Sequence, residues 1–315
     1  MSANNLTAVT GKKTKSYAAQ KRAGLIASYI FLVALSIIWI LPILWVVLTS
    51  FRVEPGSFTA SFFPQPYSWD VVNEETGVIT RYTQTFTFQN YIDLFTPRNG
   101  FDFGRMWLNT LLVAVCSCII STLFAVATAY VMSRMRFKMR KPFMNIALIM
   151  GMFPGFMSMI AIYFILKSVG IEKTLLALIL VYSGASGLGF QVVKGFFDTV
   201  PKALDEAAMI DGATKAQVFF RIILPMSKPI IVYQALTAFM GPWMDFIFAR
   251  FLMGTHYETY TVAIGLYDML DKTRIYEYFR QFAAGSVCVA VPIIVLFMWL
   301  QKYYVEGVTG GAVKG

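Results

Sequence analysis

The chain has 315 residues, of which 57% are hydrophobic and 14% charged, and its mean hydropathy is +0.61. Soluble domains are about one quarter charged, so this composition excludes an ordinary soluble protein and makes lipid the solvent for most of the chain. The net charge of +10 does not point to nucleic acid, because the bases gather beside apolar runs, where they act as topology signals.

Residues 1–22 form a polar tail with Lys12, Lys13, Lys15, Lys21 and Arg22 and no acid. No short apolar region with a small-residue cleavage site follows, so the tail reads as cytoplasmic and not as a removed signal. A first span is predicted over 23–51, long enough to cross a bilayer with some tilt. Pro42 within it is tolerated in membrane helices. Residues 52–105 form a polar loop with six acids and four bases. Within it, 78–87 reads weakly as a strand and 88–95 as a short amphipathic helix.

Residues 106–300 hold five further predicted spans, over 107–132, 143–166, 175–193, 230–253 and 282–300. Arg134, Arg136, Lys138, Arg140 and Lys141 follow the second span without an acid. Gly151, Pro154 and Gly155 interrupt the third. The fourth contains Gly184, Gly187 and Gly189, with Gln191 and Lys194 near its end. The fifth contains Gly241, Pro242 and Asp245. Residues 301–315 form a closing tail. Helical spans without an alternating strand pattern exclude an outer-membrane barrel. The fold class predicted is all-α, a polytopic membrane protein with six transmembrane helices. The positive-inside rule places both termini in the cytoplasm and the 52–105 loop outside.

The most informative stretch is a polar segment over 201–228, between the fourth and fifth spans. Pro201 suits the opening of a helix, and Asp205 and Glu206 sit in its first turns, where carboxylates favour the helix dipole. Gly212 breaks the pattern. Val218, Phe219, Ile222 and Ile223 then recur at helical spacing, and Pro225 and Pro229 close the run. The segment reads as two short helices joined by a glycine elbow, outside the lipid. Its four bases against three acids lack the basic excess of an interfacial membrane helix. Such a helix pair can lay an apolar side into a groove on a partner.

Glu206-Ala207-Ala208, then Gly212, then Ile222, Leu224 and Pro225 resemble the EAA signature of permease subunits of ATP-driven (ABC) importers. From about Ala23 onward the chain resembles the binding-protein-dependent sugar permeases. It looks most like the smaller permease of maltose/maltodextrin transporters, including over 241–248 and 310–315. The resemblance implies a type I importer permease fold in the cytoplasmic membrane of a prokaryote. It implies docking of an ATPase subunit dimer on Glu206, Ala207, Ala208, Gly212, Ile222, Leu224 and Pro225, and on a tail containing Gly310, Gly311 and Lys314. It also implies a second, larger permease, and an extracytoplasmic sugar-binding protein entered by the 254–281 loop. The substrate implied is an oligosaccharide, maltose or maltodextrin first. Galacto-oligosaccharides, raffinose-type sugars and glycerol-phosphate stay open.

No Gly-x-x-x-x-Gly-Lys-Ser/Thr loop is present, so no catalytic residue is expected, and ATP and magnesium belong to the partner ATPase. No metal-ligand spacing occurs; His256, the single histidine, falls in an external loop. Cys116, Cys118 and Cys288 lie in apolar runs and read as small buried hydrophobes. Pro154, Gly155, Gly241 and Pro242 are candidate hinges. Asp245 has two readings: it lines a water-filled pathway, or it caps a broken helix or pairs with Arg250. The glycines of the third and fourth spans read first as sites of close helix packing. A stand-alone secondary transporter or channel would be expected to show duplicated halves or a chain of intramembrane ionisable groups. The sequence has neither.

Overall fold

In a computed structural model, residues 4–55, 61–72, 78–97, 101–185, 189–273 and 275–312 are described, with side chains within 19–303. The chain forms two units, one of residues 1–54 and 58–87, the other of 55–57 and 88–315.

In the first unit, α1 (Asn4–Ser50) contains Pro42. From Leu25 to Leu44 its large apolar side chains are exposed on every side, which suits a helix solvated by lipid. After α1 the backbone is held by a knot around Arg52, whose side chain is only 3% exposed. Its guanidinium pairs with Glu54 and donates to the carbonyls of Ser61 (2.7 Å) and Phe62 (2.9 Å). The second Glu54 oxygen accepts the Gln65 N–H at 2.9 Å. A bridge between Arg52 and Phe86 and the bond from Thr87 N–H to the Phe51 carbonyl, 2.8 Å, bring the ends of the loop together.

Between these ends, β1 (Tyr67–Val72) pairs antiparallel with β2 (Ile79–Gln84). The all-α expectation holds for most of the chain and is corrected within the 52–105 loop: among the described residues the fold is helical with one two-stranded antiparallel sheet. Only the second strand had a sequence signal. Trp69 stacks on Tyr67 and Tyr82, and Arg81 grips both oxygens of Asp70 at 2.8 and 3.0 Å. This guanidinium holds the Asp70 carboxyl below the usual carboxylate range. Cross-strand pairs of this kind stabilise a hairpin, and they become visible only once the register is known.

The second unit begins with α2 (Gln89–Phe95), as expected, and is built around α3 (Phe103–Arg134). Asp102 caps α3 by accepting the Arg105 N–H at 2.9 Å. Phe103, Met106, Val113, Ala114, Ala125, Val126 and Ala129 of α3 supply all three buried clusters of the unit. No Gly or Pro lies between Arg105 and Arg134, so nothing there favours a kink.

α4 (Arg140–Gly151) and α5 (Gly155–Val169) meet at 103° across the Pro154 break. α6 (Leu175–Ala185) and α7 (Phe190–Thr199) follow. After the polar segment come α8 (Lys202–Ile210), α9 (Lys215–Val218), a π-turn (Phe219–Ile223) and α10 (Leu224–Met226). Then come α11 (Lys228–Met244), α12 (Ile247–Met253), α13 (Val262–Met269) and α14 (Ile275–Ala312). Among the described residues, four helices are long and apolar enough to cross a membrane, or up to six if each bent pair is one span.

Of the glycines predicted to pack tightly, Gly189 does so, and Gly151, Gly155 and Gly184 do not. A Cβ at Gly151, Gly155 or Gly184 would meet nothing within 4 Å, and Gly187 lies outside the described residues. The tight positions are Gly189, backed by Gln234, and Gly265 and Gly285. A Cβ on Gly285 would come within 2.6 Å of Leu266 and 3.2 Å of Phe103. Gly285→Val is expected to destabilise the protein by about 1–3 kcal/mol through overpacking, read as a lower thermal unfolding midpoint in detergent.

Candidate functional site

The 201–228 segment folds as its residue types dictate. Val200 ends α7 in extended conformation and Pro201 opens α8. The far end of α8 closes in a Schellman motif: Ala213 N–H bonds to the Ala208 carbonyl (2.9 Å) and Gly212 N–H to that of Met209 (3.1 Å). Gly212 sits at φ +87°, a left-handed backbone that glycine adopts without cost. Thr214 and Gln217 then form a reciprocal capping box at the start of α9, satisfying two orphan donors.

The Ile-x-Leu-Pro end has a backbone reason. Pro225 has no N–H, and in an α-helix its ring would collide with the carbonyl four residues back. The chain answers with a π-turn, in which Leu224 N–H bonds five residues back to Phe219. A 78° bend follows between α10 and α11.

One side of this helix pair is buried. Val218 and Ile223 are fully buried, with Ala208, Ala213, Phe219 and Leu224 packed around them. Ile222 is half-buried, so Ile223 is the deeper anchor. The other side is open: Glu206, Ala207 and Pro225 are exposed, as are Leu204, Met209 and Ile210, the last 85% exposed. An apolar knob beside a carboxylate is suited to a groove on a soluble partner.

Beneath the segment lies a polar anchor that sequence reasoning missed. Arg134 Nε lies 3.0 Å from Asp205 Oδ2, with the side chains 5% and 12% exposed. Arg134 Nη2 also donates to the Val200 carbonyl at 2.9 Å. Ser133 donates to Asp198 at 2.6 Å, and Lys194 pairs with the other Asp198 oxygen at 2.5 Å. Tyr130 donates to the Lys215 carbonyl at 3.1 Å. Arg134 had read as one of five topology bases and Asp205 as a helix-dipole acid. Nothing local in the sequence links the two.

The hinge candidates lie elsewhere. Pro154 caps α5 and Gly155 is its exposed first residue. Pro242 is buried inside α11 and Gly241 is exposed, and the helix ends three residues later at Asp245. Asp245 Oδ1 accepts the Phe248 N–H at 3.0 Å, and Oδ2 accepts the Tyr182 hydroxyl at 2.8 Å. Asp245 thus caps α12 across a broken helix. Arg250 pairs with Asp268 at 3.1 Å and bonds Tyr260. Tyr182→Phe removes one donor from this carboxylate and is expected to cost about 1–3 kcal/mol, measured as a fall in thermal midpoint. Gly310 and Gly311 continue the backbone of α14, and Lys314 lies outside the described residues.

A groove of about 640 Å³ runs between α3, the π-turn, α11 and Tyr303. Its lining is apolar except for Thr122, Lys228 and Tyr303, which suits packing against lipid or protein and not a sugar.

Residues 121–310 match the family described as "Binding-protein-dependent transport system inner membrane component". The chain belongs to this family. The match takes in the second half of α3, the whole 201–228 segment and most of α14. Relatives of this transport component include a galactooligosaccharides transport system permease protein of Bacillus subtilis (strain 168). It is 32% identical over 92% of this chain and 96% of its own length. A maltodextrin transport system permease protein of Streptococcus pneumoniae (strain ATCC BAA-255 / R6) is 32% identical over 91% and 95%. A maltose/maltodextrin transport system permease protein of Escherichia coli (strain K12) is 30% identical over 94% and 97%. A solved bacterial ABC transporter involved in alginate import has a chain of the same fold, with a TM-score of 0.70 and 18% identity. The likeness covers 90% of this chain and 97% of that one.

Proposed function

We propose that this chain is a permease subunit of an ATP-driven oligosaccharide importer in the cytoplasmic membrane of a prokaryote. Both termini and the 201–228 segment face the cytoplasm, and the 52–105 loop faces outward, as the charge distribution requires. A second, larger permease completes the pathway. An ATPase dimer holds ATP and magnesium and docks on the knob around Glu206, Ala207, Ala208 and Gly212, with Ile222, Leu224 and Pro225 fixing its angle. The tail with Gly310, Gly311 and Lys314 touches the same ATPase. An extracytoplasmic binding protein delivers sugar and is entered by the 254–281 loop. Pro154, Gly155, Gly241, Pro242 and Asp245 mark the breaks about which the spans rearrange between two access states. The observation that carries this reading is the signature helix pair, apolar and exposed on one side, in a chain of the binding-protein-dependent family.

Maltodextrin is the first substrate class, supported by relatives in Streptococcus and Escherichia. A galacto-oligosaccharide is the second reading, supported by the Bacillus relative, whose 32% identity equals that of the streptococcal one. Titrating the transporter's binding protein with maltotriose, galactotriose and raffinose separates them by which sugar binds tightest.

Docking is tested by Glu206→Lys. The carboxylate is exposed, so the variant should reach the membrane at normal levels and lose ATP-coupled uptake. Normal coupled uptake by this variant contradicts the assigned role of Glu206.

A further inference from the structure

Two ends of one helix carry polar clamps that the permease reading leaves without a role. At the C-terminal end of α3, three side chains, Tyr130, Ser133 and Arg134, reach the docking segment and the end of α7 that leads into it. Ser133 and Arg134 hold the end of α7 through Asp198 and the Val200 carbonyl. Arg134 holds α8 through Asp205, and Tyr130 holds the start of α9 through the Lys215 carbonyl. At the other end, Asn109 donates to the carbonyls of Glu258 (2.9 Å) and Tyr260 (3.0 Å). Beside it, Thr110 accepts the Val262 N–H at 2.8 Å. The clamped segments are the docking loop and the start of the 254–281 loop. They are separated by about 36 Å of α3 at helical rise.

The rod between the clamps is stiff. It has no Gly or Pro from Arg105 to Arg134, whereas α11 and α14 contain Pro242 and Pro292 and α4 breaks from α5 at Pro154. Its inner face, from Val113 through Ala114, Ser117 and Ser121 to Ala125 and Ala129, is at most 1% exposed.

The clamp at the docking end is an ion pair that stability alone does not account for. Asp205 Oδ1 and Arg134 Nη1 are buried without a hydrogen-bond partner, and Arg134 Nε faces Asp205 as a charge contact without a hydrogen bond of its own, so desolvation takes back much of the Coulomb gain. What a buried pair of this kind supplies is one defined geometry.

We propose that α3 is the rod that couples the docking segment to the 256–262 segment, with Arg134 as its positioning residue at one end and Asn109 and Thr110 at the other. This rests on the permease reading. Movement of α8 is carried through the Asp205–Arg134 pair into α3 as a rigid body. It arrives at the backbone that Asn109 and Thr110 hold. Binding of the sugar-loaded protein at one end and docking of the ATPase at the other are thereby linked, reciprocally in their binding free energies.

The test uses the assembled transporter in lipid nanodiscs, with its ATPase and its binding protein. The probe is the sugar that protein binds tightest in the panel above. Arg134→Lys keeps the charge and loses the planar fork, and Asn109→Ala lies far from the docking loop. Each is expected to retain the ATPase subunit and basal hydrolysis while stimulation by loaded binding protein falls roughly tenfold, within the usual range of coupling between sites. The double variant is expected to be no worse than the more affected single one. Independent sites at that distance would add, so full additivity overturns the rod. Unchanged stimulation in both single variants overturns it, and so does loss of the ATPase subunit from either, which reduces the clamp to simple support of docking. Failure of the wild-type chain to assemble with any ATPase subunit instead contradicts the permease reading itself.

Discussion

Gly212→Pro is expected to lower ATP-coupled uptake by about a hundredfold, near the upper end of the coupling known between protein sites, while the protein still inserts in the membrane. The reason is local. Gly212 holds φ at +87°, whereas proline is confined near −65°. The substitution also deletes the N–H that bonds to the Met209 carbonyl. The Schellman closure of α8 is lost, and with it the contact of Ala208 and Ala213 with the core below. Met209 and Ile210, which are exposed on the open side, no longer sit at a fixed angle. Gly212→Ala should fall between, because a left-handed backbone costs an L-residue about 1–2 kcal/mol. Immunoblotting of membranes against uptake separates lost coupling from lost protein. Normal uptake by the proline variant would show that the elbow is not needed for docking.

Arg52→Ala is expected to have the largest effect on stability. The guanidinium is 3% exposed and binds Glu54 and the Ser61 and Phe62 carbonyls. Its removal leaves the Glu54 carboxylate buried without its cation, a loss of about 3–5 kcal/mol for a broken buried pair. Limited proteolysis should then cut within residues 52–87 at concentrations that spare the parent protein. Arg52→Lys should recover part of the resistance, since it restores the charge but not the fork that spans three acceptors. A proteolysis pattern identical to wild type would contradict the assigned role of the knot.

The helices were legible in the sequence because apolar runs of about 20 residues have few alternatives in a bilayer. The breaks at Pro154 and Asp245 were legible for the same kind of reason, since proline and a carboxylate interrupt a lipid-solvated helix by their own chemistry. The elbow at Gly212 and the Leu224–Pro225 end carried local signals, and the structure supplies their hydrogen bonds. What was not legible depended on pairing across the chain. The strand β1 contains Ser68 and Asp70 and has no core face of its own, so its register with β2 decides its structure. The Asp205–Arg134 pair joins residues from two distant elements, and each had an adequate local explanation. Asp245 offered two readings, and only the positions of Phe248 and Tyr182 supplied its partners. Of the close-packed glycines only Gly189 was placed correctly, because open and crowded positions look alike in sequence: Gly265 and Gly285 meet neighbours, and Gly151 and Gly155 do not.

The central claim is that this chain moves sugar only when a separate ATPase drives it through the 201–228 segment. The most direct measurement is uptake of radiolabelled oligosaccharide into proteoliposomes holding the two permeases and the ATPase, with ATP inside and binding protein outside. Uptake that requires ATP, the ATPase and the binding protein together, and that disappears with Gly212→Pro, is the predicted result. Sugar accumulation without ATP or without the ATPase subunit would contradict it.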